Sequence, residues 1–167
     1  GGAFAAVPWP VETDWVAVPG PDGLALTDIQ GDQGGAGQKS FDIVGDTTDP
    51  AGFSYDDGVT LFLRVRLADS PLQSPTKWRS FVFHALQETD GITTDGSYDY
   101  TVYLDGVGET VNLTVNETKD PVDWCADDPD SARGVFLYTA TPDQLGNARV
   151  VTAPTNLGLN GTDTYLD

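Results

Sequence analysis

The sequence has one cysteine (Cys125), one histidine (His84), no methionine and only 8 lysines and arginines in 167 residues. Each scarcity narrows the chemistry. A single cysteine forms no intrachain disulfide, so export to an oxidising compartment is compatible with the sequence without being required by it. So little His and Cys argues against a catalytic triad, a zinc site of several His and Cys ligands, and a haem ligand pair. The 26 acidic residues leave a net charge of −18. Nucleic acids and anionic membranes need basic side chains to neutralise phosphate, so both are poor partners for this chain. No apolar run approaches the ~20 residues of a membrane-spanning helix.

What is present describes a folded chain. Hydrophobic residues make up 39% and aromatics 10%, too apolar for disorder. The length suits a domain that buries its own core. With 19 glycines and 11 prolines, its elements are short and its loops many. The opening Gly1-Gly2-Ala3-Phe4-Ala5-Ala6, without methionine, reads as a mature chain whose leader has been removed, or as one trimmed by other means.

Alternation with period two dominates, and no helical stripe competes with it. From Val59 to Leu67, Leu61, Leu63, Val65 and Leu67 share one face, and Thr60, Phe62, Arg64 and Arg66 the other. Asp57-Gly58 is a turn signal, so Phe53–Tyr55 and Val59–Leu67 read as a hairpin. Trp78–Leu86, Tyr98–Leu104, Glu109–Val115, Gly134–Ala140 and Asn147–Thr152 read as further strands, with weaker ones at Asp14–Val18 and Phe41–Val44. Gly20–Gly37 and Lys119–Arg133 read as long loops, and the one helical hint lies near Pro142–Leu145. Eight or nine short strands between Gly/Pro/Asp-rich connections predict an all-β chain, an antiparallel β-sandwich of jelly-roll type.

Asp42-Ile43-Val44-Gly45-Asp46, followed by Tyr55-Asp56-Asp57-Gly58-Val59 and the strand Thr60-Leu61-Phe62-Leu63-Arg64-Val65-Arg66-Leu67, resembles a type of secreted microbial β-sandwich domain. In that type an Asp-rich loop leads into a Tyr-Asp turn and an Arg-x-Arg-Leu strand. The hairpin is also similar to the family 9 carbohydrate-binding modules and the related DOMON-like domains. The resemblance covers about residues 14–105. It implies an extracellular jelly-roll-like sandwich and does not define a ligand; the glycan-clamping Trp pair of the family 9 modules has no residue-by-residue counterpart here.

Such a domain is expected to continue past Arg149-Val150-Val151 with another apolar strand, whereas here the chain reads Gly158–Asp167 and stops as a strand begins. A sandwich one strand short exposes unpaired backbone and a hydrophobic slot. The N-terminal residues 1–13 form an apolar arm, with Ala3, Phe4, Ala5, Val7 and Trp9 as candidate assembly residues, ahead of a single domain over residues 14–167. An arm that fills the slot of a neighbouring copy would link subunits head to tail into an open filament.

Three further constellations stand beside plainer readings. Asp28, Asp32, Asp42, Asp46, Asp49, Asp56 and Asp57 supply the oxygen donors that calcium prefers, although without EF-hand spacing, and solvated acidic loops are the alternative. Asp127, Asp128 and Asp130 form a smaller group of the same kind. Asn112, Asn116 and Asn160 each begin an Asn-x-Thr sequon, so they are glycosylation candidates unless they are simply polar strand residues. Trp124 and Tyr103 are the best candidates for a glycan-stacking surface, though aromatics in a β-sandwich usually serve the core. Carboxylate pairs, expected by chance among 26 acidic residues, do not single out a glycosidase. The favoured expectation is a non-enzymatic extracellular structural or adhesive subunit. It partners copies of itself by strand exchange, with calcium at the acidic loops as the only cofactor considered. The alternative is a carbohydrate-binding module of a secreted or cell-surface protein.

Overall fold

A computed structural model describes residues 8–20, 22–32, 40, 42–74, 77–85, 100–116, 134–140, 148–155, 157 and 162–167. Among them are eleven strands and one single-turn 3-10 helix, Glu12–Asp14, and every strand pairing within the two main sheets is antiparallel. The strands are β1 (Val16–Ala17), β2 (Gly52–Asp56), β3 (Leu61–Leu67), β4 (Leu72–Ser74), β5 (Lys77–Trp78), β6 (Phe81–Ala85), β7 (Tyr100–Asp105), β8 (Thr110–Asn116), β9 (Gly134–Ala140), β10 (Val150–Thr152) and β11 (Thr164–Leu166). The chain divides into two compact units, Gly1–Thr76 with Asp143–Asp167, and Lys77–Pro142. The expectation of a single domain over residues 14–167 therefore meets contacts that gather around two sheets.

The first unit holds a five-stranded sheet of order β1-β2-β3-β11-β10. Its centre is the predicted hairpin. Phe53 stands opposite Arg64 and Tyr55 opposite Phe62, because two aspartates template the turn. The Asp56 carboxylate accepts the Gly58 N–H at 2.7 Å, and Asp57 accepts the N–H groups of Val59 and Thr60 at 2.8 and 2.7 Å. Gly58 has φ +87°, a left-handed conformation that a side chain resists.

The alternation along β3 is as read, but the two faces differ from a simple apolar-in pattern. Phe62, Arg64 and Arg66 are all buried, whereas Leu63 and Val65 are half-buried and Leu61 is exposed. Leucine burial is concentrated at the far end of the strand, where Leu67 packs within a buried set that includes Val44, Ala51 and Leu166.

The strand that begins at residue 164 is not a stub at the edge. β11 lies inside the sheet between β3 and β10, with Tyr165 opposite Arg66 and Leu166 opposite Val65. The strand expected after Arg149-Val150-Val151 is supplied by residues 164–166, and the sheet order ends at β1 and β10.

Part of the glycine-rich stretch beyond β1 is described and is tied down without forming strands. Isolated bridges join Pro19 to Ala25, Asp28 to Gly45 and Ile43 to Leu67. The Val44 N–H donates to the Arg66 carbonyl at 3.1 Å, and the Ala68 N–H to the Asp42 carbonyl at 2.9 Å. Of the segment read as a strand at Phe41–Val44, the described residues 42–44 run beside the end of β3 through one isolated bridge. At Gly45 the chain passes so close to Ala51 that a Cβ would strike its backbone nitrogen and Cα.

The second unit holds a four-stranded meander, β6-β7-β8-β9. Phe81 pairs with Leu104, Leu104 with Val111, and Val111 with Ala140, and the register shifts at Leu113/Thr114. The Asp105 carboxylate caps the β7–β8 turn by accepting the Val107 N–H at 2.8 Å. The helical hint near Pro142–Leu145 and the Lys119–Arg133 loop lie outside the described residues.

The close approach at Gly45 and the left-handed turn at Gly58 predict different costs. Gly45→Ala should lower stability by roughly 1–3 kcal/mol, because backbone must move to admit the methyl group. Gly58→Ala, with open space around it, should cost only about 1 kcal/mol through its backbone conformation. Urea unfolding of the two variants beside the parent chain checks the order.

Candidate functional site

The most elaborated group of side chains lies on the Arg64 face of the first sheet. β3 presents Arg64 and Arg66 two residues apart, hence on one face. Asp163, Tyr165 and Asp167 alternate in step along the β11 segment. The Tyr165↔Arg66 register sets carboxylates and guanidiniums side by side.

Arg64 is 3% exposed and fully engaged. Its Nε and Nη2 donate to the two Asp167 carboxylate oxygens at 2.5 and 2.8 Å. Its Nη1 and Nη2 donate to Glu12 at 2.8 and 3.3 Å. The guanidinium lies between two rings, 4.0 Å from the Trp15 centroid and 4.3 Å from that of Tyr165. Both bidentate pairing and ring stacking exploit the planar fork that distinguishes Arg from Lys. Burial alone would depress the Arg64 pKa, but the hydrogen bonds and charges of Asp167 and Glu12 outweigh it and raise the pKa.

Arg149 extends the group. Its Nε donates to Asp167 at 2.6 Å, and its guanidinium sits 4.7 Å from the Trp9 ring centroid. Trp9 in turn packs on Phe62, with centroids 5.7 Å apart. Next along β3, Arg66 donates to the Tyr165 hydroxyl and the Thr155 Oγ1, both at 2.8 Å, and pairs with Asp49 at 3.2 Å and Asp163 at 3.4 Å. Burial raises the pKa of Tyr165, against the opposing pull of Arg66 and Arg64. Three guanidiniums and four carboxylates thus pair on a single sheet face, with one negative charge in excess. Chemically this arrangement is a clamp. Its most exposed charge is Glu12, whose side chain is 64% exposed.

The seven aspartates proposed as metal ligands fall into three places. Asp56 and Asp57 cap the β2–β3 turn. Asp46 accepts the N–H groups of Thr48 and Asp49 at 2.7 Å, which hold its carboxyl below the usual range. Asp49 serves Arg66 and accepts the Thr155 hydroxyl at 2.6 Å. Asp28, Asp32 and Asp42 form the third place. Burial is the main cause that raises the Asp28 pKa, reinforced by the charges of Asp32 and Asp42 and opposed by the Ile29 N–H. Among the described residues, no three His, Cys, Asp or Glu side chains converge as a ready metal-binding set.

The remaining candidates are dispersed. Asn112 is buried, and its Nδ2, the atom a glycan would occupy, donates to Thr110 Oγ1 at 3.1 Å. The strand face read as open for sugar is therefore closed at this residue, because polarity alone does not reveal which face is covered. Asn116 ends β8 opposite Gly134. Tyr103 is half-buried opposite Asn112. Asn160, Trp124, Ala3, Phe4, Ala5 and Val7 lie outside the described residues, as do Asp127, Asp128 and Asp130. Trp9, read as part of the arm, packs on its own chain's sheet. The sequence reading missed Glu12, Arg149, Asp163 and Asp167. A signal for the last two was present: Asp-x-Tyr-x-Asp at residues 163–167 has the same period as Arg-x-Arg at residues 64–66.

Comparison with known proteins adds no relative: no family model, curated protein or solved structure matches the chain.

Two substitutions separate the enclosed and open ends of the clamp. Asp167→Asn should cost about 3–5 kcal/mol in urea unfolding at neutral pH, because it strips a buried guanidinium of its charge partner. Glu12→Gln should cost under ~1 kcal/mol, since exposed pairs contribute little. Glu12 also gives a pH signature. Arg64, through its hydrogen bond and charge, lowers the folded pKa from the ordinary 4.5. The pairing therefore stabilises fully above that value and is lost as pH falls through the folded pKa. Stability measured from pH 7 down to pH 2 should fall less steeply below about pH 4.5 in Glu12→Gln than in the parent.

Proposed function

We propose that the chain is a non-enzymatic subunit of an extracellular structural or adhesive assembly, joined to copies of itself by β-strand exchange through its N-terminal arm. The observation that carries this reading is the position of Trp9. It lies against Arg149, the residue preceding β10, and β10 ends the sheet order. Trp9 thus anchors the start of the described chain near a terminal strand, whose backbone groups are suited to pairing with a further strand. Trp9 and Glu12 anchor the arm's base to its own sheet, so the exchanged portion is residues 1–7.

The same reading includes the finer architecture, a jelly-roll-like β-sandwich related to the DOMON-like and family 9 carbohydrate-binding domains. It also includes secretion, which the charge of −18 and the Asn-x-Thr sequons favour. Among the described residues no helix is long and apolar enough to cross a membrane.

The test compares the full chain with a variant lacking residues 1–7, by sedimentation and negative-stain electron microscopy over a range of concentrations. The full chain should form concentration-dependent linear polymers, and the shortened chain should remain a folded monomer. A full chain that stays monomeric throughout, or a shortened chain that polymerises equally, would overturn the proposal. Monomers retained on a glycan column would instead favour the carbohydrate-binding alternative.

A further inference from the structure

The clamp leaves one group of acidic side chains unexplained. Asp42 is 4% exposed. One of its carboxylate oxygens accepts the Gly31 N–H at 2.9 Å, while the other, Oδ1, is buried without a partner. Two residues earlier, Ser40 is also 4% exposed, and its hydroxyl oxygen is likewise unpartnered. A buried carboxylate oxygen with no donor is costly to leave so, and it calls for a further partner, a water or a cation. Among the described residues of the first unit, the guanidiniums do not fill that role: Arg64, Arg66 and Arg149 are engaged with Glu12, Asp49, Asp163 and Asp167.

The surroundings accumulate negative charge instead of relieving it. The Gly31 N–H bond seats the Asp42 carboxylate at the turn that carries Asp32. The Asp28↔Gly45 bridge joins the same two segments that the Gly31–Asp42 bond joins, which sets Asp28 beside them. The backbone here is held from both sides. Asp28 and Gly45 exchange N–H···O bonds of 3.0 and 3.2 Å, and the Ala68 N–H donates to the Asp42 carbonyl at 2.9 Å.

We propose that Asp42 and Asp28, with Asp32 at the rim, bind one calcium ion, which meets the orphaned Asp42 Oδ1. The donors are all oxygen, which suits a hard cation. Because three acidic side chains do not by themselves close around a point among the described residues, much of the coordination is main-chain carbonyl and water. Calcium accepts such mixed and irregular shells, whereas magnesium demands a near-ideal octahedron. The inference is independent of strand exchange: a monomer would bind the ion equally well.

The experiment is thermal unfolding of the full chain in chelator, in millimolar calcium and in equal magnesium at constant ionic strength, with calcium binding followed by titration calorimetry. Calcium should bind near one equivalent and, at millimolar concentration, raise the midpoint by about 5 °C, as expected for a ligand well above its dissociation constant. Asp42→Asn and Asp28→Asn should each abolish that shift. They should also melt no lower than the parent in chelator, because each removes an uncompensated charge. Asp22→Asn, an exposed carboxylate outside the group, should retain the full shift. No calcium shift in the parent, an equal shift with magnesium, or a shift undiminished in both Asp42→Asn and Asp28→Asn would overturn the proposal.

Discussion

Everything described on the first sheet depends on the burial of Arg64. A guanidinium taken out of water is tolerated only if its charge and its donors are met. Asp167 meets two donors, Glu12 the remaining Nη1 and a shared Nη2, and Trp15 and Tyr165 cover the two faces. The partners come from two distant parts of the chain. Glu12 opens the 3-10 turn and Trp15 follows it, and Tyr165 and Asp167 come from β11 and its end. Satisfying one side chain therefore fixes where the N-terminal segment and the last strand lie relative to the central hairpin. A hydrophobic residue at position 64 would fill the space without specifying those partners.

The clamp and the acidic turn belong to one connected framework. The Gln30 side-chain amide donates to the Leu157 carbonyl, and the Leu157 N–H donates to Asp163 at 2.7 Å. Asp163 pairs with Arg66. On the other side, the Val44 N–H bonds to the Arg66 carbonyl. The loop carrying Asp28, Asp32 and Asp42 is thus laced to the strand that carries the arginines. An ion at Asp42 would brace the same elements that the Arg66 pairs hold.

The charge balance also explains how so acidic a chain uses its few cations. Three of the 8 basic residues are concentrated on one sheet face, where they pair with four carboxylates. Several other described acids act locally instead, as turn caps at Asp46, Asp56, Asp57 and Asp105. The carboxylate there accepts backbone N–H groups, and its charge needs no basic partner.

The sequence alone determined the central hairpin, the strands of the meander and their turns. Period-two alternation at Leu61–Leu67, and Asp-Gly turns at Asp57-Gly58 and Asp105-Gly106, are local properties, since a side chain's face and a turn's hydrogen bonds involve only near neighbours. The tertiary structure decided what each face meets. Residues 164–166 sit inside the sheet because Tyr165 and Asp167 complement Arg66 and Arg64, about one hundred positions away. Asn112 is buried and Leu61 exposed because packing, not polarity, selects the covered face. The seven aspartates separate into caps, an arginine partner and one charged pocket for the same reason. Nearness in sequence gives carboxylates a common neighbourhood, but only the folded backbone determines whether their oxygens converge.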